Sequence, residues 1–269
     1  MKLQTVPARQ GMLWAQQGAR VFLKHPLAFA SLFAAFMFSA FVLALLPWIG
    51  SLIGLALLPL VTLGFMLATR AVLGGGVPTP LVFIAPLRAE RPRVVSLVWL
   101  GAIYAVTTFA AIWLGSLGGH DAVLAQLMQP IPDGQNASEV MAARFAKPGL
   151  VGSLLTGMLV RLAPIALLAI PFWHAPALIY WDGQRCAQAL FSSTLACWRN
   201  RGAFVVYTLT WFGLVMLFSV AASLVFAAIG SPELFMVAGM PISLIITTMF
   251  YASLYFTFAD SFAPSDPPA

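Results

Sequence analysis

The chain has 269 residues, 61% of them hydrophobic and only 8% charged, with a mean hydropathy of +0.93. Soluble domains carry roughly a quarter of their residues charged, so water is excluded as the main solvent. The net charge of +6 is not gathered into a nucleic-acid-binding stripe, because no basic run exceeds the Arg88, Arg91, Arg93 cluster.

Apolar residues instead come in runs of about 20, the length that crosses a ~30 Å hydrocarbon core as a helix. The run over 94–117 has no polar alternation, which a membrane β-barrel would need. The fold class expected is all-α: a polytopic integral membrane protein with six transmembrane helices.

In chain order, Lys2, Arg9, Arg20 and Lys24 precede an apolar run too long for the core of a cleavable signal peptide, so the first span is expected to stay. Within this leading segment Trp14, Gly18, Val21 and Phe22 recur at helical spacing, with Gln10, Gln17 and Lys24 on other faces. The pattern predicts an amphipathic helix lying on the inner leaflet, with Trp14, Phe22 and Lys24 as interfacial residues.

The spans are read at 26–46, 50–69, 94–117, 150–180, 203–229 and 234–259, in one domain over 1–261. Pro47, Trp48 and Ile49 leave room for little more than a turn between the first two, and Ser231, Pro232 and Glu233 do the same for the last two. Three hairpins result if spans three and four pair across the outer loop at 118–148. In that loop Val123, Leu124, Leu127 and Met128 can share one face, and a second short helix is expected around Val140 to Phe145. The pairs Gly50 with Gly54 and Gly115 with Gly119 have a spacing that permits close helix packing.

Span four is unusual. It is long, carries Pro164, Pro171 and Pro176, and contains Arg161, the only charge well inside a span. Each proline removes a backbone donor, so a kink or break is expected. An intramembrane charge is a functional candidate by default, with snorkelling toward the outer surface as the plain alternative. His174 and Asp182 follow as candidates for a proton relay or ligand, against the plainer reading of His174 as a histidine bonded to a backbone carbonyl.

The segment 184–200 predicts a second surface helix, with Trp198, Arg199 and Arg201 at its membrane entry. Cys186 and Cys197, eleven residues apart on it, share a face but cannot bond, so two reduced thiols are expected. The proline-rich tail 262–269 is expected to be disordered.

Eleven Lys and Arg fall on the side that holds both termini and two on the other, which by the positive-inside rule places both termini in the cytoplasm. Phosphate loops, nucleophile elbows, paired-histidine zinc motifs and metal-ligand clusters are all missing from the pattern, so no enzyme, metal or cofactor is predicted.

Three stretches resemble an uncharacterised family of betaproteobacterial inner-membrane proteins: Val6-Pro7-Ala8 through Trp14 to His25-Pro26-Leu27-Ala28-Phe29; Phe172-Trp173-His174-Ala175-Pro176-Ala177-Leu178; and Cys197-Trp198-Arg199-Asn200-Arg201-Gly202-Ala203-Phe204. More distantly, the chain is similar to the membrane domain attached to some glycerophosphoryl diester phosphodiesterases, although it has no room for the soluble phosphodiesterase itself. The resemblance implies a bacterial inner-membrane location and six helices, and it names no catalytic residue.

The expected role is that of a non-enzymatic scaffold, assembly partner or organiser of envelope lipids. Its partners would be membrane lipids, anionic phospholipid of the inner leaflet among them, and a membrane protein or a second copy. The alternative is a small transporter or channel built on span four.

Overall fold

A computed structural model of the protein describes residues 1–116, 125, 129–131, 136–147, 149–230 and 234–263. Its helices are α1 (Gln10–Lys24), α2 (Pro26–Ala44), α3 (Ile49–Leu73), α4 (Arg91–Ser116), α5 (Ala137–Phe145), α6 (Leu150–Phe172), α7 (Ala175–Asp182), α8 (Cys186–Arg199), α9 (Arg201–Ala228) and α10 (Leu234–Ser261). Short 3-10 turns at Pro80–Phe83 and Ala85–Arg88 lead from α3 to α4. Six segments are long and apolar enough to cross a bilayer: α2, α3, α4, the α6–α7 pair, α9 and α10. The chain is therefore an all-α polytopic membrane protein with six candidate spans among the described residues.

α2 and α3 pack against each other across a very short turn. The Ile49 N–H donates to the Pro47 carbonyl at 2.6 Å, around Trp48 with φ 61 and ψ −56. This is a γ-turn with positive φ at its centre, a conformation that stores about 1–3 kcal/mol of strain. At 83% exposure, Trp48 suits the aromatic belt where a span meets water.

Contacts divide the chain into two compact units, each described by itself: Met1–Tyr104 with Pro171–Ala269, and Ala105–Ile170. In the first, α1 runs along α9 and α10 and also touches α3 and α2. Its buried residues Gly11, Trp14, Ala15, Gly18, Val21 and Phe22 follow the i, i+3, i+4, i+7 rule of one helix face. The helix stands where the periodicity predicts, but its placement differs. Trp14 is fully buried and Phe22 is 5% exposed, so neither lies in the lipid interface.

The physical reason is on the same face. A side chain on Gly11 would overlap the backbone of Ala203 and Tyr207, and one on Gly18 would overlap Ser253. The two glycines let α1 approach the spans closely enough that the bundle, rather than the headgroup layer, covers its aromatic residues. Trp14 joins a core with Ala203, Tyr207 and Trp211, while Phe22 joins a second core with Phe29, Leu32, Phe33 and Phe65.

Both chain ends meet at one end of this unit. Lys2–Leu3 forms β1 and Phe262–Ala263 forms β2, antiparallel, with Lys2 opposite Ala263 and Leu3 opposite Phe262. The disorder expected from residue 262 onward therefore does not apply to Phe262 and Ala263, whose backbone finds a ladder partner and whose Phe262 ring is buried. Residues 264–269 lie outside the described residues.

The predicted defect in span four is a break at Trp173 and His174, between α6 and α7. Pro176 sits in the first turn of α7. Lacking an N–H, and with a ring that would crowd the Phe172 carbonyl, it favours the break here, whereas α3 and α10 run on through Pro59 and Pro241. The freed His174 N–H donates to Ser193 Oγ of α8 at 3.0 Å.

Within the second unit, Gly115 of α4 lies against Arg161 of α6, with 3.4 Å between a built Cβ and the Arg161 Cα. α5 covers the helix expected around Val140 to Phe145, and Arg144 on it donates to the Gln129 and Pro130 carbonyls at 2.9 and 3.3 Å. The other expected loop helix, with Val123, Leu124, Leu127 and Met128, and the Gly119 partner of Gly115 lie outside the described residues.

Candidate functional site

The polar chemistry of the first unit gathers at the end that carries both termini. Asn200, 1% exposed between α8 and α9, ties three segments together. Its Nδ2 donates to the Gln4 carbonyl at 3.0 Å and to Ser261 Oγ at 3.2 Å, and its Oδ1 accepts the Val6 N–H at 2.9 Å. The amide thus meets both its donor and its acceptor needs, as a buried amide must. Asp260 of α10 accepts from Gln10 Nε2 at 2.6 Å and Trp14 Nε1 at 2.8 Å, and so orients α1. Neither Asn200 nor Asp260 is marked out by any motif, because the partners of each lie about 60 to 250 residues away in sequence.

Of the residues singled out in span four, Asp182 is already engaged: it accepts from the Met1 ammonium at 2.8 Å and from Gln184 Nε2 at 2.8 Å. His174 is fully buried in a cage of phenylalanines, with ring centroids of Phe204, Phe258 and Phe262 at 5.8, 6.0 and 5.5 Å. Neither of its ring nitrogens has a hydrogen-bond partner, which departs from the expected bond to a backbone carbonyl. The helix break turns the imidazole into the aromatic layer, where it packs against the three phenyl rings. Arg161, half-buried, belongs to the second unit.

Beside His174, Ser193 and Cys197 share the buried face of α8 with Ala189 and Ala196. Burial pushes the Cys197 thiol up to about 12, with a hydrogen bond from Ser193 pulling the other way, and burial raises the Cys186 thiol as well. Both cysteines are free, and both stay protonated at neutral pH, which leaves them poor nucleophiles.

The bulky side chains of α8 point outward: Phe191 is 69% and Trp198 66% exposed. Arg199 and Arg201 are exposed beside them, and the Arg201 guanidinium lies 5.5 Å from the Trp198 ring centroid. On α1, Lys24 is likewise exposed. A second cation–π pair was not apparent from sequence: Arg70 of α3 stands 5.5 Å from the Trp181 ring centroid of α7. No local pattern links Arg70 to Trp181, since the contact is made between separate helices.

Among the described residues no group of three or more His, Cys, Asp or Glu could hold a metal ion. Two adjoining clefts of about 270 and 250 Å³ open between α9 and α10, sharing Phe218, Ile242 and Ile246. Their lining contains no titratable acid or base.

No family model matches the chain, and no solved structure matches it. It is 34% identical over 271 residues to a probable inner membrane protein of Burkholderia thailandensis, an alignment that covers 100% of this chain and 97% of the relative. Similarity of that extent, end to end, joined to six apolar helices, gives the kinship: the chain belongs to the family of that inner membrane protein.

Proposed function

We propose that the protein is a non-enzymatic component of the bacterial inner membrane, with both termini cytoplasmic, that acts as a scaffold, assembly partner or organiser of envelope lipids. The observation that carries this reading is the contrast between interior and rim. The interior holds a histidine sealed among phenylalanines and clefts without acids or bases, whereas Arg70, Trp198, Arg199 and Arg201 are exposed at the rim. Basic side chains at the inner surface each gain about 1 kcal/mol from anionic lipid. The distant likeness to the membrane domain of glycerophosphoryl diester phosphodiesterases rests on sequence pattern alone and adds no activity.

Purification in mild detergent, followed by native mass spectrometry, tests the proposal. A reproducible protein partner or a retained lipid is expected, and a preparation with neither defeats it. Transport has one observation in its favour, the break of span four at His174, since broken helices line substrate sites in many transporters. Arg161→Leu combined with His174→Phe separates the two readings. Full complementation of a deletion strain by that double variant removes transport through span four.

A further inference from the structure

We infer that Arg70 and Arg93 form a recognition site for an anionic phosphodiester headgroup at the end of α7. The inference rests on the lipid-organising part of the function proposed above. Both guanidinium groups reach the same turn of chain. Arg70 stands over the Trp181 ring at 5.5 Å, and Arg93 Nη1 donates to the Tyr180 carbonyl at 3.1 Å. Three residues after Tyr180, a Cβ built on Gly183 would lie 3.8 Å from Arg93 Nε.

The two arginines are held for different reasons. Arg93 satisfies a carbonyl that the end of a helix leaves open. Among the described residues Arg70 makes no hydrogen bond and no ion pair, so all five of its N–H donors are available while the indole fixes the plane of the group. A planar fork held in this way suits two oxygens of a phosphate, which a flexible lysine would not match.

Nearby carboxylates do not occupy this place. Asp182 is engaged by the Met1 ammonium and Gln184, and Glu90 is an exposed contact 3.8 Å from Arg93 Nε. Depth selects the source of the phosphate. Arg70 lies in the last turn of the span Ile49–Leu73, and Trp181 in the last turn of Gly152–Asp182. Both are at the edge of the hydrocarbon layer, where lipid phosphodiesters lie and where Trp and Arg are favoured.

The test uses the full chain in detergent, offered phosphatidylglycerol or phosphatidylcholine, with retained lipid read by native mass spectrometry. Wild type should retain phosphatidylglycerol in preference. Arg70→Gln, whose side chain holds no hydrogen bond in the fold, should lower that retention about tenfold, the loss of one good charged hydrogen-bonding group. Arg70→Lys should restore only part of it. Arg20→Gln, which removes an equal charge from an exposed position on α1, should leave it unchanged.

Equal retention by wild type and Arg70→Gln overturns the site while leaving the proposed function standing. Equal losses in Arg70→Gln and Arg20→Gln also overturn it, in favour of diffuse surface charge. A parallel arm titrates inorganic phosphate. Arg70-dependent phosphate binding without retained phosphatidylglycerol overturns the lipid headgroup in favour of a soluble anion. Absence of both ligands in wild type overturns the site, and the protein-partner arm of the earlier experiment then decides the proposed function separately.

Discussion

α1 and α8 look alike in sequence, each a short amphipathic helix with a tryptophan and basic residues just before a span, yet they meet opposite fates. On α1 the tryptophan is inside: Trp14 is fully buried, between Phe204 and Tyr207, with its indole N–H on Asp260. On α8 the small residues Ala189, Ser193, Ala196 and Cys197 face inward, and Trp198 is 66% exposed. The difference teaches that the buried face of such a helix is chosen by how closely its backbone can approach, and not by where its largest apolar side chains stand. α1 has glycine at two contact points along its aromatic face, so aromatic residues and backbone enter together. α8 packs through its smallest side chains and leaves the large ones exposed.

The sharpest way to break this contrast is to truncate the inward tryptophan. Trp14→Ala should destabilise the bundle by about 3–5 kcal/mol, the range for emptying a buried aromatic site, seen as a large fall in the melting temperature of the detergent-purified protein. An unchanged melt would mean that α1 does not hold the spans together. Next in size, Gly18→Leu forces a side chain against Ser253 and should cost about 1–3 kcal/mol or more, with α1 released to proteolysis; protection equal to wild type would count against close packing.

Asn200→Ala leaves the Val6 N–H and the Gln4 carbonyl without their partner, at about 1–3 kcal/mol, and should expose the amino-terminal strand to hydrogen exchange. Thiol labelling reads the inward face of α8 directly. Cys186, partly exposed, should react with maleimide well before Cys197, whose burial both shields the sulfur and suppresses its thiolate; equal rates would place Cys197 outside the core. The smallest effect belongs to Trp198→Ala, which should shift the detergent melt by no more than about 0.5 kcal/mol while weakening association with anionic vesicles.

Some features were legible because they are local. A run of about 20 apolar residues is sufficient by itself to define a span, since the bilayer sets the length and the helix satisfies its own backbone. For that reason the six spans, and even the defect of span four, are written into short stretches of chain. The prolines of span four mark where a helix can fail, a weaker local signal than hydropathy, because α3 and α10 run on through Pro59 and Pro241. Proximity in sequence says nothing of surroundings, however: Asp182 accepts from the amino-terminal ammonium, and His174 is closed off by Phe204, Phe258 and Phe262.

What the sequence by itself determined is thus the class of the protein, its six crossings, its helix on either side of each turn, and the amphipathic character of α1 and α8. Only the tertiary structure decided that α1 is swallowed by the bundle, that Lys2–Leu3 pairs with Phe262–Ala263, and that Asn200 ties the two chain ends. It alone also brought Arg70 and Arg93 to one turn of α7. The physical reason is range. Hydropathy and helix propensity act over a few turns of chain, whereas these contacts join residues up to about 260 positions apart, and their partners are named only once the helices have packed.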